Sequence, residues 1–263
     1  MDLQLNGKRA LVTGSSRGLG YAIALGLANE GCRVAINGRN SQRMNEAVQK
    51  LVSQTKAEII AIQGDVGVPD FPASLVQKTI QAFGGLDLLV TNAGGPPSGK
   101  FDSFDDPAWQ HAIDLSLLSH VRLIRVALPY LRQSDCPSVV TLTSYSVKQP
   151  IPNLVLSNSI RSATVGLTKS LALELGVDGI RFNSILPGWT LTERVQELMS
   201  HRAKINGSIV EEEITRQVAE TALGRMARPE EVANAAIFLL SPAASYITGV
   251  MLTVDGGIYK GTL

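Results

Sequence analysis

Along this chain, short continuous apolar runs rich in β-branched residues alternate with longer stretches in which apolar residues recur every three or four positions. The short runs predict strands over 9–13, 33–37, 58–62, 86–91, 138–143, 180–185 and 250–254. The longer stretches predict helices over 19–29, from about Ser41, after the third strand to about Phe83, over 109–132 and 154–175, near 192–222 and over 230–240. Gly31 is the expected C′ residue of the first helix, and Ser41 the expected N-cap of the second. Two helices carry clear stripes. Trp109, Ile113, Leu117, His120, Ile124 and Leu128 form one, and Leu156, Ile160, Ala163, Leu167 and Leu171 the other. Both read as core faces, and His120 reads as a packed histidine.

Strands without polar alternation, each followed by a helix, imply a parallel sheet covered on both faces. Right-handed crossovers then predict a doubly wound, Rossmann-type α/β fold of about seven strands. No linker or internal repeat divides the chain, so residues 1–263 read as one domain. Ligands in such folds bind beyond the carboxyl ends of the strands, where the winding reverses.

Composition removes several function classes. Lys plus Arg is 24 and Asp plus Glu is 23, a formal net charge of +1. No basic stripe suggests nucleic acid as a partner. No apolar run is long enough for a transmembrane helix, and the polar first nine residues lack a signal-peptide core. Cys32 and Cys136 form no disulfide framework, and the three histidines form no metal motif. The expectation is a cytoplasmic protein without membrane, nucleic-acid or metal partners. Glycine is in excess, 24 residues where an average near 7% gives about 18.

The candidate chemistry begins in Thr13-Gly-Ser-Ser-Arg-Gly-Leu-Gly20, between the first strand and first helix. The spacing is GxxxGxG. Gly14 permits the turn, Gly18 lets backbone approach a diphosphate, and Gly20 allows close helix–strand packing. The helix N-terminus beyond it offers free N–H groups to phosphate. Gly14, Ser16, Arg17, Gly18, Leu19 and Gly20 are therefore candidate cofactor residues. After the second strand, Ile36-Asn-Gly-Arg39 lacks the acid that would take an NAD ribose hydroxyl. Arg39 and Arg17 instead suit a 2′-phosphate, which favours NADP(H).

With Thr91-Asn-Ala-Gly94, Asp65-Val66, the 183–192 stretch carrying Pro187-Gly188, the 224–232 segment and the 241–257 segment, the chain resembles the short-chain dehydrogenase/reductase family over nearly its whole length. The flavour is that of the 3-oxoacyl-acyl-carrier-protein reductases. The resemblance implies hydride transfer between a nicotinamide and a small carbonyl or alcohol substrate, and a homodimer or homotetramer. It implies that Asp65 and Val66 meet adenine, and that Asn92, Ala93 and Gly94 shape the ribose region. Pro187 and Gly188 would be further cofactor residues, and Thr190 and Thr192 would meet the nicotinamide carboxamide and diphosphate. The charged 193–222 segment would be a substrate lid.

The family's catalytic asparagine, serine, tyrosine and lysine are mostly replaced. None of the five tyrosines has a lysine four residues on. Anchored on the downstream Thr168-Lys-Ser, Ser157 stands at the tyrosine position and Arg161 at the lysine position. Ser144 keeps the serine, and Ser116 stands for the asparagine. An aliphatic hydroxyl is far less acidic than a phenol, so Ser157 is a poor proton donor. Arg161 keeps the charge and can donate to ribose hydroxyls. Tyr145 and Lys148, after Ser144, are possible stand-ins, though Tyr145 reads more readily as loop packing. Three readings stay open: a reductase with rearranged acid–base groups, an NADP(H)-binding relative without redox activity acting as sensor, scaffold or partner subunit, and non-redox chemistry in the old pocket.

Overall fold

The computed structural model describes residues 1–262. The strands are β1 (Arg9–Val12), β2 (Arg33–Gly38), β3 (Ile59–Gln63), β4 (Leu88–Thr91), β5 (Ser138–Leu142), β6 (Arg181–Pro187) and β7 (Met251–Val254). They form one parallel sheet in the order β3-β2-β1-β4-β5-β6-β7. The helices are α1 (Gly18–Asn29), α2 (Ser41–Gln54), α3 (Phe71–Phe83), α4 (Asp106–Ile113), α5 (Ser119–Leu131), α6 (Val155–Leu175), α7 (Glu193–Asn206), α8 (Val210–Ala219) and α9 (Pro229–Leu240). This is the doubly wound architecture expected from the hydrophobic pattern. After β3 the chain crosses to the far side of β1, so the winding reverses between β1 and β4.

Each strand feeds two cores, as its period of two requires. Ala10, Val12, Leu88 and Val90 pack against α1, α2 and α9. Leu11 and Leu89 face the opposite way, against α3, α5 and α6. Helix ends follow local chemistry. Gly31 takes φ +81° just past α1, as predicted. The cap of α2 is Asn40, not Ser41: its side chain accepts from the Arg43 N–H at 2.9 Å.

The stretch predicted as a single helix over 109–132 starts earlier and is interrupted. Asp105 caps α4 by accepting from the Ala108 N–H at 3.0 Å. Between α4 and α5, residues Asp114–Leu118 form a π-turn, with the Ser119 N–H bonded to the Asp114 carbonyl. The Thr164 hydroxyl of α6 donates to the Ser116 carbonyl at 2.6 Å, and the Ser119 hydroxyl takes the Leu115 carbonyl at 2.5 Å. Side chains thus satisfy carbonyls in the widened turn. The turn rotates the stripe: His120 and Ile124 are buried as expected, while Trp109, Ile113, Leu117 and Leu128 are only half-buried.

The α6 stripe also differs from expectation. Its buried face is Leu156, Ile160, Thr164, Thr168, Ala172 and Leu175, and Ala163 is exposed. Two threonines lie on this face, and both are satisfied inside. The Thr168 hydroxyl donates to the Thr164 carbonyl and meets the Thr141 hydroxyl at 2.9 Å.

His120 crosses from α5 to the end of β4, its Nδ1 lying 2.6 Å from the Thr91 hydroxyl. Burial, reinforced by the Arg161 charge, pushes its pKa down to about 3. The unfolded chain takes up a proton near the ordinary value of 6.5, and the folded chain resists it down to about 3. Stability is therefore full above that ordinary value and falls as pH drops through this window. Thermal melts should show this loss on acidification, and His120→Gln should flatten it; an equal slope in the variant would refute the assignment.

Candidate active-site cleft

A cleft of about 410 Å³ opens at the carboxyl ends of β1, β4, β5 and β6. It is the crevice expected where the winding reverses. Its walls come from the β1–α1 loop, the loop after β4, the turn after β5, one face of α6, and the head of α7.

The β1–α1 and β4 loops are locked together. The Thr13 hydroxyl donates to the Asn92 carbonyl at 2.7 Å and accepts from the Asn92 N–H at 2.8 Å. The Asn92 amide donates to the Gly14 carbonyl at 3.0 Å. Gly14 takes φ +56°, and a Cβ there would sit 2.8 Å from the Asn92 carbonyl oxygen. A Cβ on Gly20 would collide with the Gly14 carbonyl oxygen and stand 2.8 Å from Asn92 Nδ2. Sequence reasoning valued Asn92 as a cofactor contact and missed Thr13 as its partner.

Helix α1 starts without a side-chain cap and without an acid in its first turn. Its N-terminal N–H groups therefore have no competing side-chain acceptor beside the cleft, the local chemistry an anion needs. Arg17 lines the cleft and pairs with Glu193 of α7, with Glu197 at 3.5 Å. Arg39 lines it too and reaches Asp65 at 3.4 Å. Asn37, at the end of β2, is turned inward, donating to the Ile62 and Gly64 carbonyls.

The opposite wall carries Ser144, Ser157 and Arg161. Ser144 caps the short turn after β5, its hydroxyl accepting from the Ser146 N–H at 3.1 Å. Arg161 Nε donates to the Ser157 hydroxyl at 3.2 Å. Arg161 Nη1 donates to the Leu142 and Thr143 carbonyls at 3.1 and 3.2 Å. This ties α6 to the end of β5. Burial, and then the nearby Arg194 charge, lower the Arg161 pKa to about 10, so it stays protonated at neutral pH. Asn158, also missed from sequence, clasps Ile151 through both its amide groups and steadies the loop before α6.

Of the sequence-predicted residues, the cleft brings together Gly14, Arg17, Gly18, Leu19, Arg39, Asn92, Ala93, Gly94, Ser144, Ser157, Arg161, Pro187, Gly188, Thr190 and Thr192. Thr192 also caps α7, accepting from the Val195 N–H at 3.3 Å. Ser16, Gly20, Asp65 and Val66 are not among the residues that line it. Ser116 is not brought to it: the π-turn buries its side chain, with the hydroxyl unpartnered and the carbonyl held by Thr164. Tyr145 does line the cleft, but packs edge-on against Trp189 at 6.4 Å, and burial raises its pKa to about 12. Lys148 is outside the lining, over the Tyr259 ring at 5.3 Å.

At the opposite, amino-terminal ends of the strands, Asp87, Asp135 and Cys136 come close enough to share a cation. Arg9 holds Asp87 at 2.6 Å and Lys8 holds Asp135 at 2.8 Å, so protein cations already neutralise both acids.

Comparison with known proteins places this geometry. The family model described as enoyl-(acyl carrier protein) reductase matches residues 14–259. A dehydrogenase/reductase SDR family member 4 of Caenorhabditis elegans is 31% identical over 256 residues, spanning 97% of this chain and 96% of the relative. A 3-oxoacyl-[acyl-carrier-protein] reductase of Staphylococcus aureus is 32% identical over 252 residues, spanning 96% and 98%. Among solved structures, L-sorbose reductase of Gluconobacter frateurii, complexed with NADPH and L-sorbose, matches with a TM-score of 0.94 and 33% identity, covering 99% of this chain and 100% of that one.

The loop lock makes a direct prediction. Gly20→Ala should force Gly14 away from Asn92 and destabilise the protein by about 1–3 kcal/mol, the usual cost of overpacking. Denaturant unfolding reads the change, and an unaltered midpoint would show that the loop yields freely.

Proposed function

The chain belongs to the short-chain dehydrogenase/reductase family, and on that footing we propose that it is an NADP(H)-dependent oxidoreductase of a carbonyl or alcohol substrate, working without the family's tyrosine–lysine pair. One observation carries this reading. The uncapped glycine loop and the Ser144–Ser157–Arg161 wall line a single cleft.

The residues present fit the cofactor. The free head of α1 suits the diphosphate, and Gly94 faces open space where a ribose needs room. Arg17 and Arg39 line the cleft and would hold a 2′-phosphate, and no acid follows β2 to take a ribose hydroxyl. The NADPH complex of the sorbose reductase supports the same choice. Arg17 meets Glu193 and Glu197 through Nη1, which leaves its Nε and Nη2 for the phosphate. The cofactor, when bound, supplies or accepts the hydride.

The chain's own groups handle the substrate oxygen. The Ser144 and Ser157 hydroxyls keep their protons free to donate into the cleft, because each oxygen serves as acceptor to the protein. They orient the carbonyl. Arg161 holds a positive charge beside them and stabilises the negative charge that develops on that oxygen. As hydride reaches the carbonyl carbon, the oxygen keeps the π-electron pair and takes its proton from water. Serine is too weak an acid to give it, and Tyr145 is shifted further from acidity.

NADPH should bind at least about ten-fold more tightly than NADH, a difference within the range of charge-assisted hydrogen bonds. Arg17→Ala combined with Arg39→Ala should close the gap, as read by fluorescence titration; equal affinities in the parent protein would refute the choice. Deuteride from labelled NADPH should appear in a ketone or quinone product, with kcat/KM flat from about pH 6 to about pH 9 because no phenol of ordinary acidity serves as the acid. Arg161→Met should lower it by about ten- to a hundred-fold. Tight NADPH binding without any transfer would instead assign the cleft to nucleotide sensing or scaffolding.

A further inference from the structure

Resting on the oxidoreductase reading, we propose that the substrate carries a carboxylate, and that Arg194 at the head of α7, in the field of Arg161, selects it. The starting point is a charge imbalance. Four arginines line the cleft, Arg17, Arg39, Arg161 and Arg194, against the acids Glu193 and Glu197. Arg17 takes both acids, and Arg39 is paired with Asp65. Arg194 reaches only Glu197, at 3.8 Å, and shares it with Arg17. Arg161 pairs with no carboxylate among the described residues, and its Nη2 has no hydrogen-bond partner there.

The two under-neutralised guanidiniums are at the substrate end. Arg161 stands beside Ser157, on the α6 wall. Arg194 Nη2 donates to the Pro96 carbonyl at 2.7 Å, which holds the side chain over the loop after β4, and among the described residues its Nε and Nη1 have no hydrogen-bond partner. Arg39 lies at the β2 end, with β1 and β4 between it and β5. The cofactor's phosphates belong with Arg17 and Arg39, and so do not supply the missing negative charge at Arg161 and Arg194.

Chemistry sharpens the point. Two poorly compensated guanidiniums in one half-buried site repel each other. A substrate carboxylate relieves that repulsion. Arginine is suited to the task because its planar fork matches a carboxylate in two parallel hydrogen bonds. A neutral carbonyl compound of the same shape leaves the imbalance in place.

The test uses matched probes differing in charge alone. Butyrate and butyramide are titrated by calorimetry into the whole protein with and without NADP⁺, and acetoacetate is compared with methyl acetoacetate as oxidant of NADPH. Butyrate should bind at least about ten-fold more tightly than butyramide, and kcat/KM should favour acetoacetate by a similar factor, carried by KM. Arg194→Gln should remove both preferences and Arg194→Lys restore part of them, with NADPH affinity and the melting temperature checking that each variant is folded. Butyramide binding as well as butyrate, no measurable butyrate binding, or an undiminished preference in folded Arg194→Gln would each overturn the proposal. Charge-dependent binding without turnover would sink the reductase reading and leave the carboxylate site standing. Turnover without a charge preference would do the reverse.

Discussion

The clasp between Thr13 and Asn92 sets the geometry on which the cleft depends. These residues follow β1 and β4, the adjacent strands between which the winding reverses, and a crevice opens there because no crossover helix covers it. Two hydrogen bonds between the Thr13 hydroxyl and the Asn92 backbone, and a third from the Asn92 amide to Gly14, hold the two loops in register. The turn at Gly14 aims the head of α1 into the crevice, and Gly20 lets the helix pack close behind it. His120, bonded to Thr91 one residue before Asn92, braces the same point from α5.

Across the cleft, the wall is organised by Arg161 rather than by a tyrosine–lysine pair. A buried guanidinium is tolerable only when its donors find acceptors, and Arg161 gives two bonds to carbonyls at the end of β5 and one to Ser157. It is thus a structural tie between α6 and the sheet and a fixed positive charge facing the site. The short serine hydroxyl makes room for that arginine. In the proposed mechanism, electrostatic stabilisation stands in for the acid–base relay and charge balance sorts ligands.

Much of this was legible in the residues. Continuous apolar strands and their alternation with helices marked the doubly wound sheet, and the glycine loop marked the end of the sheet where the cleft opens. What escaped the reading depends on contacts between distant segments. Thr164 and Thr168 read as polar, yet they form the buried face of α6 because Ser116, Thr141 and Thr164 itself offer partners. The π-turn followed from the same contacts, and it withdrew Ser116 from the cleft. Lys148 and Tyr145, three residues apart, diverged because the turn after β5 sends one onto Tyr259 and the other into the Trp189 cluster.

Sequence alone determined the fold class, the location of the glycine loop and the lack of any tyrosine with a lysine four residues on, because these rest on local periodicity, backbone freedom and side-chain type. Tertiary structure decided which charges remain uncompensated. Glu193 and Arg194 are neighbours in the chain, yet one is spent on Arg17 and the other is held over the loop after β4 by Pro96. Ion pairing falls off over a few ångströms, so only the packing of α7 against the glycine loop settles which arginine is left for a ligand.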